Sequence, residues 1–244
     1  MADTGPLMRI ADMNWMQVEK YLEDDDRCVL PVGSVEQHAQ LSLCVDAILS
    51  ERVSVEAAEP LGVPVYPAMP FGLAPYFSAF PGSMSLRIET LMAVFRDLIA
   101  SVHRSGFRRV LIVNGHGGNS PVAALAKELM LELPEMSIKY HPWWAGPQFT
   151  EALNGINPVG SHASWIENFP WTRLASAPAP DGEKALVDYD ELDILNPKEA
   201  KVMLGDGNFG GAWQMPDDVM LQAWQVGVEE TRSVLEAPWP IHGA

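Results

Sequence analysis

Apolar residues along this chain alternate between short unbroken runs and stretches at three- and four-residue spacing. Residues 28–33, CVLPVG, form a run that stops at Gly33, the pattern of a buried strand ending in a turn. Asp46 opens a helix over 47–59, where an aspartate would serve as the N-cap. Residues 63–69 read as a second strand, which Pro64 and Pro67 push toward an edge or an irregular course. After a loop rich in Pro, Gly and aromatics, Leu91, Val94, Phe95, Leu98, Ile99 and Val102 share one stripe of a helix over 88–105. RVLIV at 109–113 is continuous and rich in β-branched residues, as expected of a strand covered on both faces of a parallel sheet. A glycine-rich turn at 114–119, a helix over 121–133 and a strand at 136–140 follow. The alternation predicts one α/β domain over 1–244, a mostly parallel sheet with crossover helices on its faces. Beyond residue 150 the pattern predicts a helix over 162–169, an irregular acidic stretch over 176–211 that reads as an ordered excursion over one face, with a linker as the alternative, and a helix over 217–235.

Composition narrows the function classes. A formal charge of −16 argues against a nucleic-acid partner, because that affinity comes from Lys and Arg displacing counterions. No apolar run approaches the ~20 residues needed to cross a bilayer. The N-terminus lacks the basic start and apolar stretch of a secretion signal, and two cysteines, Cys28 and Cys44, are too few for a disulfide framework. The expectation is a cytoplasmic protein with no membrane or nucleic-acid partner.

Chemistry gathers where the strands end. The first strand delivers Glu36, His38 and Asp46, the third His116, and the fourth Trp143 and Trp144. In an open α/β sheet such tips converge on a ligand crevice. Singly, each residue has a bland reading: Glu36 a solvated carboxylate, Asp46 a helix cap, His116 a loop histidine. Together, imidazoles and carboxylates at one sheet edge are the ligand mix that zinc prefers, with Mn or Fe(II) as alternatives. Glu36 and His38, two apart in an extended segment, would project the same way, and a carboxylate such as Asp46 can bridge two ions. The 114–119 turn lacks the spacing of a phosphate-binding or dinucleotide loop, so its glycines read as a sharp turn presenting His116.

The stretches LPVGSVEQH at 30–38 followed by Asp46, FPGSMSL at 80–86 and VNGHGGN at 113–119 resemble the creatininase (creatinine amidohydrolase) family. The likeness runs in order over roughly residues 8–170. It implies a three-layer αβα fold, two divalent metal ions per subunit, a homo-oligomer that is often a hexamer, and hydrolysis of C–N bonds in cyclic or linear amides. Carried over by residue, Glu36 and His116 resemble ligands of one ion, His38 a ligand of the second, Asp46 the bridge and Glu167 the remaining ligand. His162 resembles the general acid/base, a role suited to an imidazole with a pKa near 7, or a substrate-contacting histidine. In the bland alternative, His162 and Glu167 are a surface pair one helical turn apart.

Departures from the family pattern fall around the expected pocket. Glu36 and Asp46 are ten residues apart where eleven is usual, Gln40 and Leu41 stand where a further His is common, and Phe77 replaces another His. Gly118 stands where creatininase proper has a Glu, which argues against creatinine as substrate. Tyr76, Ser78, Gly117, Trp143 and Trp144 are the candidate substrate-binding residues, with Phe77 and Trp165 as further pocket walls. His103 and His242 read as surface residues, and His141 is ambiguous. The leading substrate is a small amide, with a deformylase, a peptidase trimming a short modified peptide, and a non-catalytic metal-binding relative as alternatives.

Overall fold

The computed structural model describes residues 9–240; His242 lies outside them. Three strands, β1 (Arg27–Val32), β2 (Arg109–Asn114) and β3 (Ser137–Pro142), form a parallel sheet in that order. In register, Val29 sits opposite Leu111, and Leu111 opposite Lys139. Residues 110–114 of the central β2 are all buried, as the unbroken apolar run requires.

The predicted strand at 63–69 is not a ladder strand. It runs beside β1 through single parallel bridges at Val65 and Met69, and the backbone N–H groups of Val29, Tyr66, Met69 and Gly33 supply the bonds between the two. Pro64 and Pro67 have no N–H to donate, so a continuous ladder cannot form.

Helix α1 (Trp15–Tyr21) precedes β1, and α2 (Val45–Ala58) leads from β1 to that extended segment. The chain then crosses back through α3 (Ile88–Arg104) to β2 on the other side of β1. With α4 (Pro121–Glu132) between β2 and β3, α3 packs on the sheet face of Cys28, Val110 and Ile138. On the opposite face α2, α5 (Pro147–Ile156) and α8 (Asp217–Glu236) cover Val29, Leu111 and Val113. The crossovers that leave β1 and β2, α2 and α4, therefore take opposite faces, which opens a crevice between the carboxyl ends of these two strands. On α3, Leu91, Phe95, Ile99 and Val102 are buried as predicted, whereas Leu98 is exposed.

Asp46 is not an N-cap. Helix α2 begins at Val45, its cap position is Cys44 with no side-chain cap bond, and Asp46 lies buried in the first turn. Two glycines allow that helix end to sit on the strand tips. A Cβ on Gly33 would lie 2.3 Å from the backbone nitrogen of Ala47, and one on Gly115 would lie 2.4 Å from the carbonyl oxygen of Asp46.

The acidic 176–211 stretch is an ordered excursion, as expected, and not a linker. It contains β4 (Glu183–Lys184), α6 (Tyr189–Asp193) and α7 (Pro197–Leu204), and β4 pairs antiparallel with β5 (Gly211–Ala212). Leu192, Ala200 and Leu204 from this excursion bury Phe77 and Phe80 of the 70–85 loop. The predicted helix over 162–169 reduces to one 3₁₀ turn, Trp165–Glu167, because Ala163 takes a left-handed conformation with φ 61° and stops helical propagation. Among the described residues no helix is long and apolar enough to cross a membrane.

Candidate metal centre

Glu36, His38, Asp46, His116, His162 and Glu167 converge at the β1/β2 crevice. Their ligand atoms form three groups, Glu36/Asp46/His116, His38/Asp46/Glu167 and Glu36/His38/His162, each with all atoms within 4.8 Å of one another. Asp46 joins the first two with different oxygens. Its Oδ1 lies 3.1 Å from Nε2 of His38, and its Oδ2 lies 3.1 Å from Nδ1 of His116. Glu36 Oε1 is 3.1 Å from His116 Nδ1, and Glu167 Oε2 is 3.7 Å from His38 Nε2.

Backbone carbonyls set the tautomers. His38 Nδ1–H donates to the carbonyl of Glu36 at 3.1 Å, and His116 Nε2–H donates to that of Leu73 at 2.7 Å. The remaining ring nitrogens face the carboxylates, the orientation in which an imidazole that gives up its proton there can bind a metal ion. Ser34, buried beneath, donates to Glu36 Oε2 at 3.2 Å and so turns Oε1 toward His116.

His162 joins from a loop. Its Nδ1 is 4.0 Å from both Glu36 Oε1 and Glu167 Oε2, and its Nε2–H donates to the carbonyl of Gln37 at 3.0 Å. The amide nitrogen of Gln37, 2.9 Å from that same ring nitrogen, donates to the carbonyl of Gly207. Phe77 stacks on the imidazole at 4.7 Å and 14°, and Phe209 packs at 5.0 Å. The surface-pair reading of His162 and Glu167 therefore fails: the two face each other across a loop, both largely covered.

The electrostatics describe a negative cluster that calls for cations. Burial disfavours charge on His38, but Asp46 and Glu167 outweigh it and raise the ring to about 10. His116 is likewise opposed by burial, and its contacts with Asp46 and Glu36 raise it to about 11. Burial also opposes charge on Asp46, yet His38 and His116 hold it well below the usual carboxylate range. Glu36 is raised by burial and by Asp46. Burial raises Glu167 to about 7 against the pull of His38. His162 is pushed down to about 3 by burial and by the charge on His38, below the value near 7 expected from sequence.

The residues fit divalent cations. His38 Nε2 and Asp46 Oδ2 are buried without a hydrogen-bond partner among the described residues, although buried polar atoms are nearly always paired. Their 3.1 Å approaches to neighbouring ligand atoms are not aligned as hydrogen bonds, so their lone pairs aim at the space between the groups. Imidazole nitrogens with carboxylate oxygens are the donor set of zinc and its first-row neighbours.

Residues 11–181 match the family model described as Creatininase: Creatinine amidohydrolase. The chain belongs to the creatininase family. It is 34% identical over 119 residues to creatinine amidohydrolase of Pseudomonas putida, covering 46% of this chain and 45% of that protein. It is 29% identical over 107 residues to 3-dehydro-scyllo-inosose hydrolase of Thermotoga maritima, covering 43% and 34%. It is 32% identical over 112 residues to the mycofactocin precursor peptide peptidase of Mycolicibacterium smegmatis, covering 42% and 44%. These alignments span less than half the length of each relative. The fold is shared throughout: the crystal structure of creatininase superimposes with TM-score 0.80 at 22% identity over 96% of this chain and 98% of that one. A mutant creatininase of the Zn-Zn type matches with TM-score 0.81 at 21% identity over 95% and 98%, and a Mn form with 0.80 at 21% over 96% and 99%.

In this creatininase-family chain the departures from the family motifs have structural consequences. A Cβ at Gly118 would lie 1.9 Å from the carbonyl oxygen of Leu73, so the 70–85 loop fills the space a longer side chain needs. Phe77 supplies the stack on His162. A cavity of about 1140 Å³ opens over the cluster, and Tyr76, Ser78, Gly117, Trp143 and Trp144 all line it. Trp143 is nonetheless buried and packs edge-on against Trp224 at 5.2 Å. Trp165 is no pocket wall: it is fully buried and donates to the carbonyl of Val159. Tyr189, Leu192 and Phe209 also line the cavity, so the 176–211 excursion covers the site of its own chain.

His103 pairs with Glu135 at 2.6 Å, away from the site. His141 is buried against Thr231. Sequence reasoning missed Ser34, Gln37, Leu73 and Phe209. The polar Ser34 and Gln37 inside an otherwise buried segment were a readable signal. Leu73 acts through its backbone and Phe209 through a distant loop, and neither leaves a local pattern.

Proposed function

We propose that this chain is an amidohydrolase that uses two divalent ions, zinc foremost and Mn or Fe as alternatives, to cleave a C–N bond in a small cyclic or linear amide. The observation that carries the reading is Asp46, whose two oxygens face two different groups of ligand atoms. Glu36 and His116 would hold one ion, His38 and Glu167 the other, with Asp46 between them. When bound, such ions lower the pKa of water toward neutrality and polarise the amide carbonyl.

His162 is the proton carrier. Its Nε2–H is committed to the carbonyl of Gln37, which leaves Nδ1 as the acceptor turned into the site. Burial disfavours charge on the ring, so it starts neutral, as a base. It takes a proton from the attacking water and returns it to the amide nitrogen as the C–N bond breaks. The water oxygen stays on the acyl carbon, and the products are a carboxylic acid and an amine. Phe77 and Phe209 fix the ring plane and shield it from bulk water.

Elemental analysis of purified protein is expected to find close to two divalent ions per chain, with hydrolysis of members of an amide panel. Metal-replete protein that hydrolyses no lactam, formamide or short peptide would leave the non-catalytic relative as the better reading. Cleavage of a short peptide is the second reading, favoured by the size of the cavity and by the likeness to a peptidase. Assembly as a homo-oligomer belongs to the same proposal and is tested by sedimentation velocity.

A further inference from the structure

The walls of the cavity speak to the substrate. Beyond the metal-ligand cluster and His162 they are built mainly from apolar side chains, among them Leu73, Tyr76, Phe77, Leu86, Trp144 and Phe209. Among the described residues, the charged groups lining it outside the cluster are Arg87 and Asp193. Both are exposed, and Arg87 lies 3.3 Å from Glu89 with most of its side chain in solvent. Charge therefore stands at the rim, and the interior between rim and cluster offers none. Tyr76, which lines the cavity, has its hydroxyl committed to the carbonyl of Leu192.

Size points the same way. Pockets of roughly 300–1000 Å³ enclose drug-sized ligands, and this cavity measures about 1140 Å³. A single-ring amide such as creatinine would leave most of it to water against apolar walls, giving up the burial that drives binding. A charged group placed beside the scissile bond would lose its hydration with no partner on those walls.

We propose that the cavity selects amides carrying bulky aromatic or branched aliphatic groups and no charge next to the scissile bond, with any charge confined to the far end near Arg87 and Asp193. The proposal rests on the hydrolase reading, and two measurements keep the fates of the two apart. The first compares kcat/KM of metal-replete protein for N-benzyl phenylacetamide, N-methylacetamide, pyrrolidinone and N-phenylacetylglycine. N-benzyl phenylacetamide is expected to exceed both small amides by about 100-fold or more, and the anionic N-phenylacetylglycine by at least about 10-fold. The second uses calorimetry on the same holoprotein with uncleavable ketones, in which a methylene replaces the amide N–H. The ketone analogue of N-benzyl phenylacetamide is expected to bind at least about 10-fold tighter than butanone.

Faster turnover of N-methylacetamide or pyrrolidinone, or equal binding of the two ketones, overturns the apolar selection while leaving the hydrolase standing. Preferential ketone binding with no turnover of any amide overturns the hydrolase and upholds the selection. Trp144→Ala is expected to reduce the ratio of bulky to small amide turnover at least about fivefold, and an unchanged ratio would remove Trp144 from the wall that selects.

Discussion

Leu73 holds His116 in place: its carbonyl oxygen accepts the Nε2–H at 2.7 Å, which leaves Nδ1 facing Glu36 and Asp46. Gly118 keeps that approach open, since a Cβ there would lie 1.9 Å from the carbonyl oxygen and 2.5 Å from Nε2. Gly118→Ala must push the loop away and free the ring. Metal affinity in a chelator competition is expected to fall by ~10-fold or more, with the circular dichroism spectrum preserved. Unchanged affinity would mean that Leu73 does not orient the ligand.

The proposed roles of His116 as ligand and His162 as proton carrier separate by mutation. His116→Ala removes a nitrogen 3.1 Å from two carboxylates and is expected to lose bound metal in elemental analysis. His162→Ala is expected to keep the metal and lose about 100-fold or more in kcat. The reverse pattern would exchange the two roles.

Ala39 and Ala163, each following a histidine of the cluster, have φ of 51° and 61°. Such left-handed geometry disfavours any residue with a Cβ. Ala163→Gly is expected to stabilise the fold by roughly 0.5–1 kcal/mol in urea denaturation, and Ala163→Val to destabilise it by more than ~1 kcal/mol. The valine should also weaken the bond from the Ala163 N–H to Glu167 Oε2. A loss of stability in the glycine variant would show that the backbone here is not strained.

His141 supplies a pH dependence away from the metal ligands. Burial lowers it to about 4, against an opposing pull from Glu230; its Nε2–H donates to Thr231 Oγ1, which itself donates to the carbonyl of Gly227. The unfolded chain protonates this ring at about 6.5, so below that pH the unfolded state binds the proton that the folded state refuses. Stability should fall as pH drops from about 6.5 and level off near 4, with a contribution of at most about 3 kcal/mol. Replacing His141 with Gln should flatten this segment of the stability profile, measured by urea melts across the range. A profile of unchanged slope would show that His141 is not the group responsible.

Much of the fold was legible because its signals are local. The unbroken run at 109–113 identified the central strand, and the stripe on α3 identified a helix packed on the sheet. Leu98 left that stripe because a helix face wider than its contact area leaves one edge in solvent. Helix α5 went unpredicted even though Phe149 and Leu153 are buried on one face; the Gly146–Pro147 pair at its start reads as a loop. Its N-terminal amides at Gln148 and Phe149 are met by Glu230 from α8, a cap some eighty residues away.

The sequence by itself determined the three strands of the parallel sheet and the residue types at their tips: Glu36, His38, Asp46 and His116 follow from runs, turns and motif spacing. Tertiary structure alone decided how they meet. Asp46 faces two ligand groups because α2 settles on glycines 33 and 115, a steric fit between segments far apart in the chain. His162 faces Glu167 because a left-handed Ala163 breaks the helix that local periodicity predicts, held by Gln37, Gly207 and Phe209 from other segments. Periodicity records which side of an element is buried, whereas the distance between two elements depends on the volumes packed between them, and that information is spread over the whole chain.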